Sequence, residues 1–172
     1  MSGGYRAPRP IDAGDEVAAF ACRSSEQTAW LRHHARHANA AGTARVHVVT
    51  TVDTPEVVAY YAWCMASVRP ADLPDRQRKG VGSYPQPVAL LARLGVDTGH
   101  EGRGLGSGLL ADVIRRTVAL GAEIGCRALL VHCQDDDARR FYLRHAREFE
   151  PSPTDDLHLT LLMKDLRRLH LG

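Results

Sequence analysis

Four glycines, Gly102, Gly104, Gly106 and Gly108, fall at alternate positions between an apolar run and a long amphipathic segment. The run Val88 to Val96 (VALLARLGV) reads as a central strand buried on both faces. Leu105 to Ile124 follows, with Leu105, Leu109, Val113, Val118 and Leu120 as apolar positions of a helix of about five turns. A glycine turn in this place lets the backbone approach a ligand, and the N–H groups of the helix start form an anion site. A pyrophosphate suits such a site. The Walker A pattern is absent, because no Gly-Lys-Ser/Thr follows. The dinucleotide fingerprint fails too: its third glycine falls at Ser107 or Leu109. That fingerprint ordinarily sits in the first strand–helix–strand unit, whereas here three strands come first.

The rest of the chain supplies those strands and more. Residues 1–12 are polar, with one short edge strand. Asp12 to Asp15 reads as a helix start, with Val17, Phe20 and Ala21 following at helical spacing. A second helix is expected from Glu26 to Asn39, ended by Gly42. Ala44 to Val52 and Glu56 to Val68 form a hairpin around the turn at Asp53 to Pro55. Residues 69–87, rich in proline and glycine, form a long loop without periodicity. After the glycine turn come a buried strand at Arg127 to Cys133 and a helix at Asp135 to Ala146. A last strand at Leu157 to Met163 and a terminal helix at Lys164 to Leu171 close the chain.

At about 150 residues per domain, the 172 residues make one domain, 1–172. Apolar residues at 44% and charged residues at 24% exclude disorder, collagen and coiled coil as descriptions of the whole chain. Cys22, Cys64, Cys126 and Cys133 are scattered without a C-x-x-C pair, and no metal or disulfide framework is expected. Cys64 and Cys133 read as inert core residues. His33, His34 and His37 lack an accompanying carboxylate or cysteine, so they give no metal site. No apolar leader and no spanning run is present, so the expectation is a cytoplasmic protein with reduced thiols, off the membrane. The net charge is +2, yet Lys79 and Lys164 are the only lysines, and the other 20 basic residues are arginines.

The turn resembles the acetyl-CoA-binding turn of the GNAT acetyltransferases, whose pattern is Gln/Arg-x-x-Gly-x-Gly/Ala after a strand ending in aliphatic-x-Val. Here it reads Glu101-Gly-Arg-Gly104-Leu-Gly106, with Leu94 to Val96 as the strand end. Glu101 stands where the family has Gln or Arg, and its negative charge would face the pyrophosphate, with Arg103, or a Glu101 side chain turned to solvent, available to offset it. A second motif, Asp135-Asp-Asp-Ala138-Arg-Arg-Phe141-Tyr142, is similar to the family's Asn/Asp-x-x-Ala-x-x-Phe-Tyr. The resemblance implies an α/β (α+β) fold: a central mixed, mostly antiparallel, twisted sheet flanked by helices, with a V-shaped acetyl-CoA cleft. It implies acetyl-CoA as co-substrate without a metal. The implied cofactor contacts are Leu94, Gly95, Val96, Glu101, Gly102, Arg103, Gly104, Leu105, Gly106 and Ser107, with Asp135, Ala138 and Phe141. Asp135 would cap its helix, Phe141 would pack in the core, and Tyr142 would be the general acid that reprotonates the CoA thiolate.

Further segments resemble the TacT-like acetyltransferase toxins of bacterial toxin–antitoxin pairs, above all Glu150-Pro-Ser-Pro-Thr-Asp155. After Tyr142 that group has three residues and then Gly-Phe. Here six residues, Leu143 to Glu148, precede Phe149 and none is glycine, so the loop is reshaped. This resemblance implies acetylation of the α-amino group of an aminoacyl-tRNA, a block of translation, a ribbon-helix-helix antitoxin and a homodimer.

The residues are compatible with that chemistry. Val88 to Val96 holds no carboxylate base, and an α-amino group, titrating near 7.7–8.0, needs none of the help that a lysine near 10.4 needs. Arg32, Arg36, Arg45, Arg76, Arg78, Lys79, Arg93 and Arg139 are candidate tRNA contacts. Arg93, in a strand, is expected to point into the cleft or to be paired, since an unpaired buried charge is costly. A small amine or protein N-terminus as acceptor, and an acetyl-CoA-binding module without turnover, remain open alternatives.

Overall fold

A computed structural model describes residues 4–172; residues 1–3, part of the polar N-terminal segment, lie outside it. The strands are β1 (Arg9–Pro10), β2 (Arg45–Thr50), β3 (Val57–Val68), β4 (Gln86–Val96), β5 (Ala128–His132), β6 (Glu150–Pro151) and β7 (His158–Leu162). The helices are α1 (Ser25–His33), α2 (Ala35–Ala41), α3 (Asp75–Arg78), α4 (Leu105–Glu123), α5 (Asp136–His145) and α6 (Met163–Leu171). The seven strands lie in the order β1-β2-β3-β4-β5-β7-β6. The pairs β1–β2, β2–β3, β5–β7 and β6–β7 are antiparallel, and β4–β5 is parallel. The expected mixed, mostly antiparallel sheet with helices is therefore present. The chain divides into two compact units: one runs to Cys64 and adds Ala92–Asp112, the other holds Met65–Leu91 and Val113–Gly172.

In the first unit the β2–β3 hairpin forms as its β-branched residues dictate. Arg45 faces Trp63 and Val48 faces Tyr60, and a bulge lies between Val49 and Thr50. Tyr60 and Tyr61 are fully buried, and each has a partner for its hydroxyl. Tyr60 donates to the Gln27 carbonyl at 2.7 Å, and Tyr61 donates to the Asp112 carboxylate at 2.7 Å. That is the condition on which a tyrosine is tolerated in a core.

The segment at Asp12 to Ala21 is not the helix its spacing predicts. Asp15, which reads as a first-turn acid, instead turns inward and binds Arg9 through two hydrogen bonds, at 2.5 and 2.9 Å. Its carboxylate also accepts the Asp12 N–H at 2.8 Å. Glu16 then pairs with the chain beside β3, accepting the Val57 N–H at 2.9 Å. Val17 and Phe20 do enter the core, so their spacing reflects burial without helix. The single helix expected at 26–39 is two helices, broken at His34 (φ −124°, ψ −24°). Gly42 ends the second in the left-handed region, at φ 76°, as expected.

In the second unit β5 is buried along Ala128–Val131, with β4 on one edge and β7 on the other. The expectation that β4 is buried on both faces holds at Val88, Ala89 and Leu91 and fails at Ala92 to Leu94, which are half-buried. Residues 69–87 are less irregular than expected: they contain a turn of 3₁₀ helix at Pro70–Asp72 and the helix α3. The segment is held down by the fully buried Gln77, whose amide donates to the Thr160 carbonyl at 3.3 Å. Thr154 donates to Asp72 at 2.7 Å, and Arg76 grips Glu150, at 2.5 Å, and the buried Asp165, at 2.8 Å. The short strand β6 was not expected.

Burial raises the Asp15 carboxyl, but the Arg9 guanidinium and the Asp12 amide outweigh it and hold the group below the usual carboxylate range. Its contribution to stability is therefore present above about pH 4 and is lost as pH falls through the depressed value. The Asp15 side chain is 1% exposed and that of Arg9 36%. Arg9→Met should cost about 1–3 kcal/mol, less than the loss of a sealed pair because Arg9 is partly screened. Urea unfolding should show that gap closing below about pH 4.

Candidate active site

The glycine turn belongs to the first unit. Asp97, just after β4, fixes its approach: its side chain accepts the Gly99 N–H at 2.9 Å and the Ala21 N–H at 3.0 Å. Gly102 and Gly104 sit at φ 73° and 79°. A residue with a Cβ would lose about 1–2 kcal/mol in that left-handed conformation. α4 starts at Leu105, so the first N–H groups of the helix have no intrahelical partner and are free for an anion.

The Glu101 charge, expected to face the anion site, has a partner of its own. Arg23 donates Nε and Nη2 to the two carboxylate oxygens, each at 2.9 Å. Arg23 thus supplies an offsetting charge that was not expected, while Arg103 in the turn donates its Nη1 to the Tyr5 hydroxyl at 2.9 Å. Tyr5 is in turn hydrogen-bonded to His100 at 2.9 Å. Neither Arg23 nor Tyr5 carries a local signal, since each lies more than 70 residues from its partner in the turn.

The strand end is equally tied. The Leu94 N–H donates to the Gln27 side chain at 3.1 Å. At Gly95 a Cβ would lie 3.2 Å from the Tyr60 ring and 3.3 Å from the Cys22 sulfur, so only glycine lets these groups close on the strand. Arg93 is paired, as one of its two readings had it. It donates to Glu26 at 3.1 Å and stacks 4.9 Å over Trp30, a ring that itself stacks on Tyr60.

The tyrosine helix belongs to the second unit. The Asp135 side chain accepts the Ala138 N–H at 2.8 Å, which is what the Asp-x-x-Ala spacing encodes. Phe141 does not pack in the core as expected; it is half-buried. Adjacent helical positions point about 100° apart, and the inward one here is Tyr142, 6% exposed, followed one turn on by the buried Ala146. The longer loop after Tyr142 folds into a tight turn, with the Phe149 N–H on the Ala146 carbonyl at 3.2 Å. That turn brings the Phe149 ring edge-on to Tyr142 at 5.9 Å. Burial, with a contribution from Cys133, raises the Tyr142 phenol far above its ordinary value. It stays protonated at neutral pH. The Cys133 thiol is buried, as expected, and burial pushes it up to about 11; Cys64 is half-buried and its thiol is also raised by burial.

The basic candidates divide into committed and uncommitted groups. Arg36 donates to the Asp15 carbonyl, Arg45 to the Asn39 carbonyl at 2.9 Å, and Arg139 to the Asp156 carbonyl at 3.0 Å. Arg76 holds two carboxylates and Arg78 pairs with Asp75. The side chains of Arg32 and Lys79 are exposed and have no hydrogen-bond or ion-pair partner among the described residues. Among the described residues no group of three or more His, Cys, Asp or Glu forms a metal-ligand cluster.

Comparison with known proteins gives matches along the whole chain. A tRNA-acetylating toxin of Mycobacterium tuberculosis is 46% identical over 166 residues, covering 96% of this chain and 97% of its own. A probable toxin TacT of Sinorhizobium fredii is 31% identical over 169 residues, covering 93% and 92%. Among solved structures, AtaT complexed with acetyl-methionyl-tRNAfMet superposes with a TM-score of 0.84 at 22% identity, over 92% of this chain and 94% of that one. A mutant AtaT bound to the C-terminus of the antitoxin AtaR and acetyl-CoA gives 0.80 at 18%, over 96% and 98%. These two show that the fold is shared. The family model for the acetyltransferase (GNAT) family matches residues 4–146, and with that breadth of match the chain belongs to this family.

Proposed function

We infer that this chain is a toxin that transfers an acetyl group from acetyl-CoA to the α-amino group of an aminoacyl-tRNA and so blocks translation. The observation that carries this reading is the 46% identity, along nearly the full length of both chains, to a tRNA-acetylating toxin. The fold it shares with AtaT complexed with acetyl-methionyl-tRNAfMet supports it. In this reading residues 1–172 act as one acetyltransferase domain in the cytoplasm, as a homodimer, held in check by a ribbon-helix-helix antitoxin. Among the described residues no helix is long and apolar enough to cross a membrane.

The residues present fit acetyl-CoA. The two left-handed glycines open the backbone, and the one acid of the Glu101–Ser107 turn is bound by Arg23. The N–H groups of Gly102 to Ser107 would hold the pyrophosphate. Acetyl-CoA, when bound, supplies the acetyl group as a thioester whose sulfur leaves as a thiolate. Tyr142 keeps its proton because it is buried, and it returns that proton to the leaving sulfur. No carboxylate on β4 is needed as base, because an α-amino group near 7.7–8.0 is already partly neutral at pH 7.

Mass spectrometry of charged tRNA incubated with the protein and acetyl-CoA should show an acetylated aminoacyl adduct; its absence on every charged tRNA would remove the reading. Tyr142→Phe should lower kcat by about 10²–10⁴, the contribution of a general acid, with the KM for acetyl-CoA unchanged. The initial rate of the wild-type protein should rise with pH as the α-amino group deprotonates. It should show no alkaline fall below about pH 10, since Tyr142 stays protonated there. Arg23→Ala should weaken acetyl-CoA binding by about 2–5-fold, the effect of one uncompensated charge near a helix N-terminus. Adding Glu101→Gln should restore the binding in calorimetry.

A further inference from the structure

The N-terminal segment reaches the glycine turn through one side chain. Tyr5 forms an antiparallel bridge with Thr51, just after β2. On one side of it the Gly4 carbonyl accepts the Val52 N–H at 3.0 Å; on the other the Arg6 N–H donates to the Thr50 carbonyl at 2.9 Å. Extended backbone sends alternate side chains to opposite faces, so this pairing fixes the direction in which the Tyr5 ring projects. The half-buried ring lies edge-on to His100 at 5.7 Å. Its hydroxyl stands 2.9 Å from His100 Nδ1 and 2.9 Å from Arg103 Nη1. A guanidinium only donates, so the Tyr5 oxygen accepts from Arg103. The hydroxyl hydrogen is then available to His100, which accepts it in the tautomer protonated at Nε2. All three residues belong to the first unit.

That hydroxyl is what holds the Arg103 side chain. Arg103 is exposed, and Tyr5 is its one hydrogen-bond partner among the described residues. The left-handed glycines on either side set the backbone there, but a long exposed side chain left to itself samples many rotamers. Charge separates the two arginines of the turn. Arg23 is matched by Glu101. Arg103 meets a neutral hydroxyl and has no carboxylate partner among the described residues. Its positive charge is therefore not cancelled within the turn, and the rest of its donor fork is open.

We propose that Tyr5 is a positioning residue of the acyl-donor site: from the end of β2 it holds the Arg103 guanidinium ready for a phosphate of acetyl-CoA. The proposal rests on the reading of acetyl-CoA as the acyl donor. Two parts of that donor share the chemistry, the pyrophosphate and the 3′-phosphate of the ribose. A guanidinium already held by one neutral oxygen loses less freedom on binding a phosphate, and the bond it then makes is charge-assisted. In this role Tyr5 acts through Arg103 on affinity and leaves the chemical step alone.

The test is calorimetric titration of acetyl-CoA into wild type, Tyr5→Phe, Arg103→Ala and the double variant. Calorimetry needs no tRNA, so it decides this point whatever the acceptor. Tyr5→Phe keeps the ring and loses the hydroxyl. Its Kd for acetyl-CoA should rise about 3–10-fold, the effect of freeing one long side chain. The KM for acetyl-CoA should rise with it, while kcat at saturating acetyl-CoA holds. Arg103→Ala should raise the Kd about 10-fold or more, the loss of a charged hydrogen bond. In the Arg103→Ala background Tyr5→Phe should add nothing, since the group it positions is gone. Dephospho-acetyl-CoA identifies the phosphate, and both results support the proposal. A Tyr5→Phe loss that persists on it belongs to the pyrophosphate, and one that vanishes belongs to the 3′-phosphate. Equal affinity of wild type and Tyr5→Phe would overturn the proposal. So would a Tyr5→Phe loss undiminished in the Arg103→Ala background, or an equal loss on acetyl-pantetheine, which has no phosphate; either would make Tyr5 a strut of the fold. A wild-type protein that binds no acetyl-CoA would overturn the donor reading and the proposal together.

Discussion

One parallel pairing in a largely antiparallel sheet shapes the molecule. β4 and β5 run side by side from Val88 with Ala128 to Leu91 with Val131. Parallel neighbours cannot be joined by a tight turn; the chain must cross over, and it does so through α4. The helix therefore starts near where β4 ends, and its unpaired N–H groups are gathered at the carboxyl end of a strand, where open α/β sheets collect ligands. The glycine turn is the hinge of that crossover. β5, closed in on both edges and buried for most of its length, then leads into Asp135 and the tyrosine helix.

Features set by short-range rules were legible in the chain. The hairpin of β2 and β3, the crossover helix, the Asp135 cap over Ala138 and the Gly42 stop each depend on residues within a few positions of one another. What escaped depended on partners far away. Asp15 carries the signature of a helix start, but an arginine on the preceding edge strand takes its charge and pulls the segment out of helix. Phe141 is the more apolar of the neighbouring pair and was expected in the core, but the phase of α5 turns Tyr142 inward instead. Glu101 looks wrong for an anion site until Arg23 is seen beside it. The block from Glu150 to Asp155 reads as a family mark. Its physical work is to clasp the segment at 69–87, through Arg76 on Glu150 and Thr154 on Asp72.

The arginine excess also resolves into separate uses. Several guanidinium groups are internal fasteners: Arg9 on Asp15, Arg76 on Asp165, Arg93 between Glu26 and Trp30. Planar, always charged and rich in donors, arginine is suited to that task. The two lysines have no such duty, which leaves them to the surface.

The ion pair between residues 23 and 101 has a consequence for the newborn chain. It spans 78 positions, so it closes only after the hairpin and β4 have been synthesised between its ends, and closing it costs the loop entropy of that separation. Until then the glycine turn carries a bare carboxylate that repels a pyrophosphate. On the proposed reading, completed folding of the first unit therefore adds about 2–5-fold to the affinity of the turn for its acyl donor.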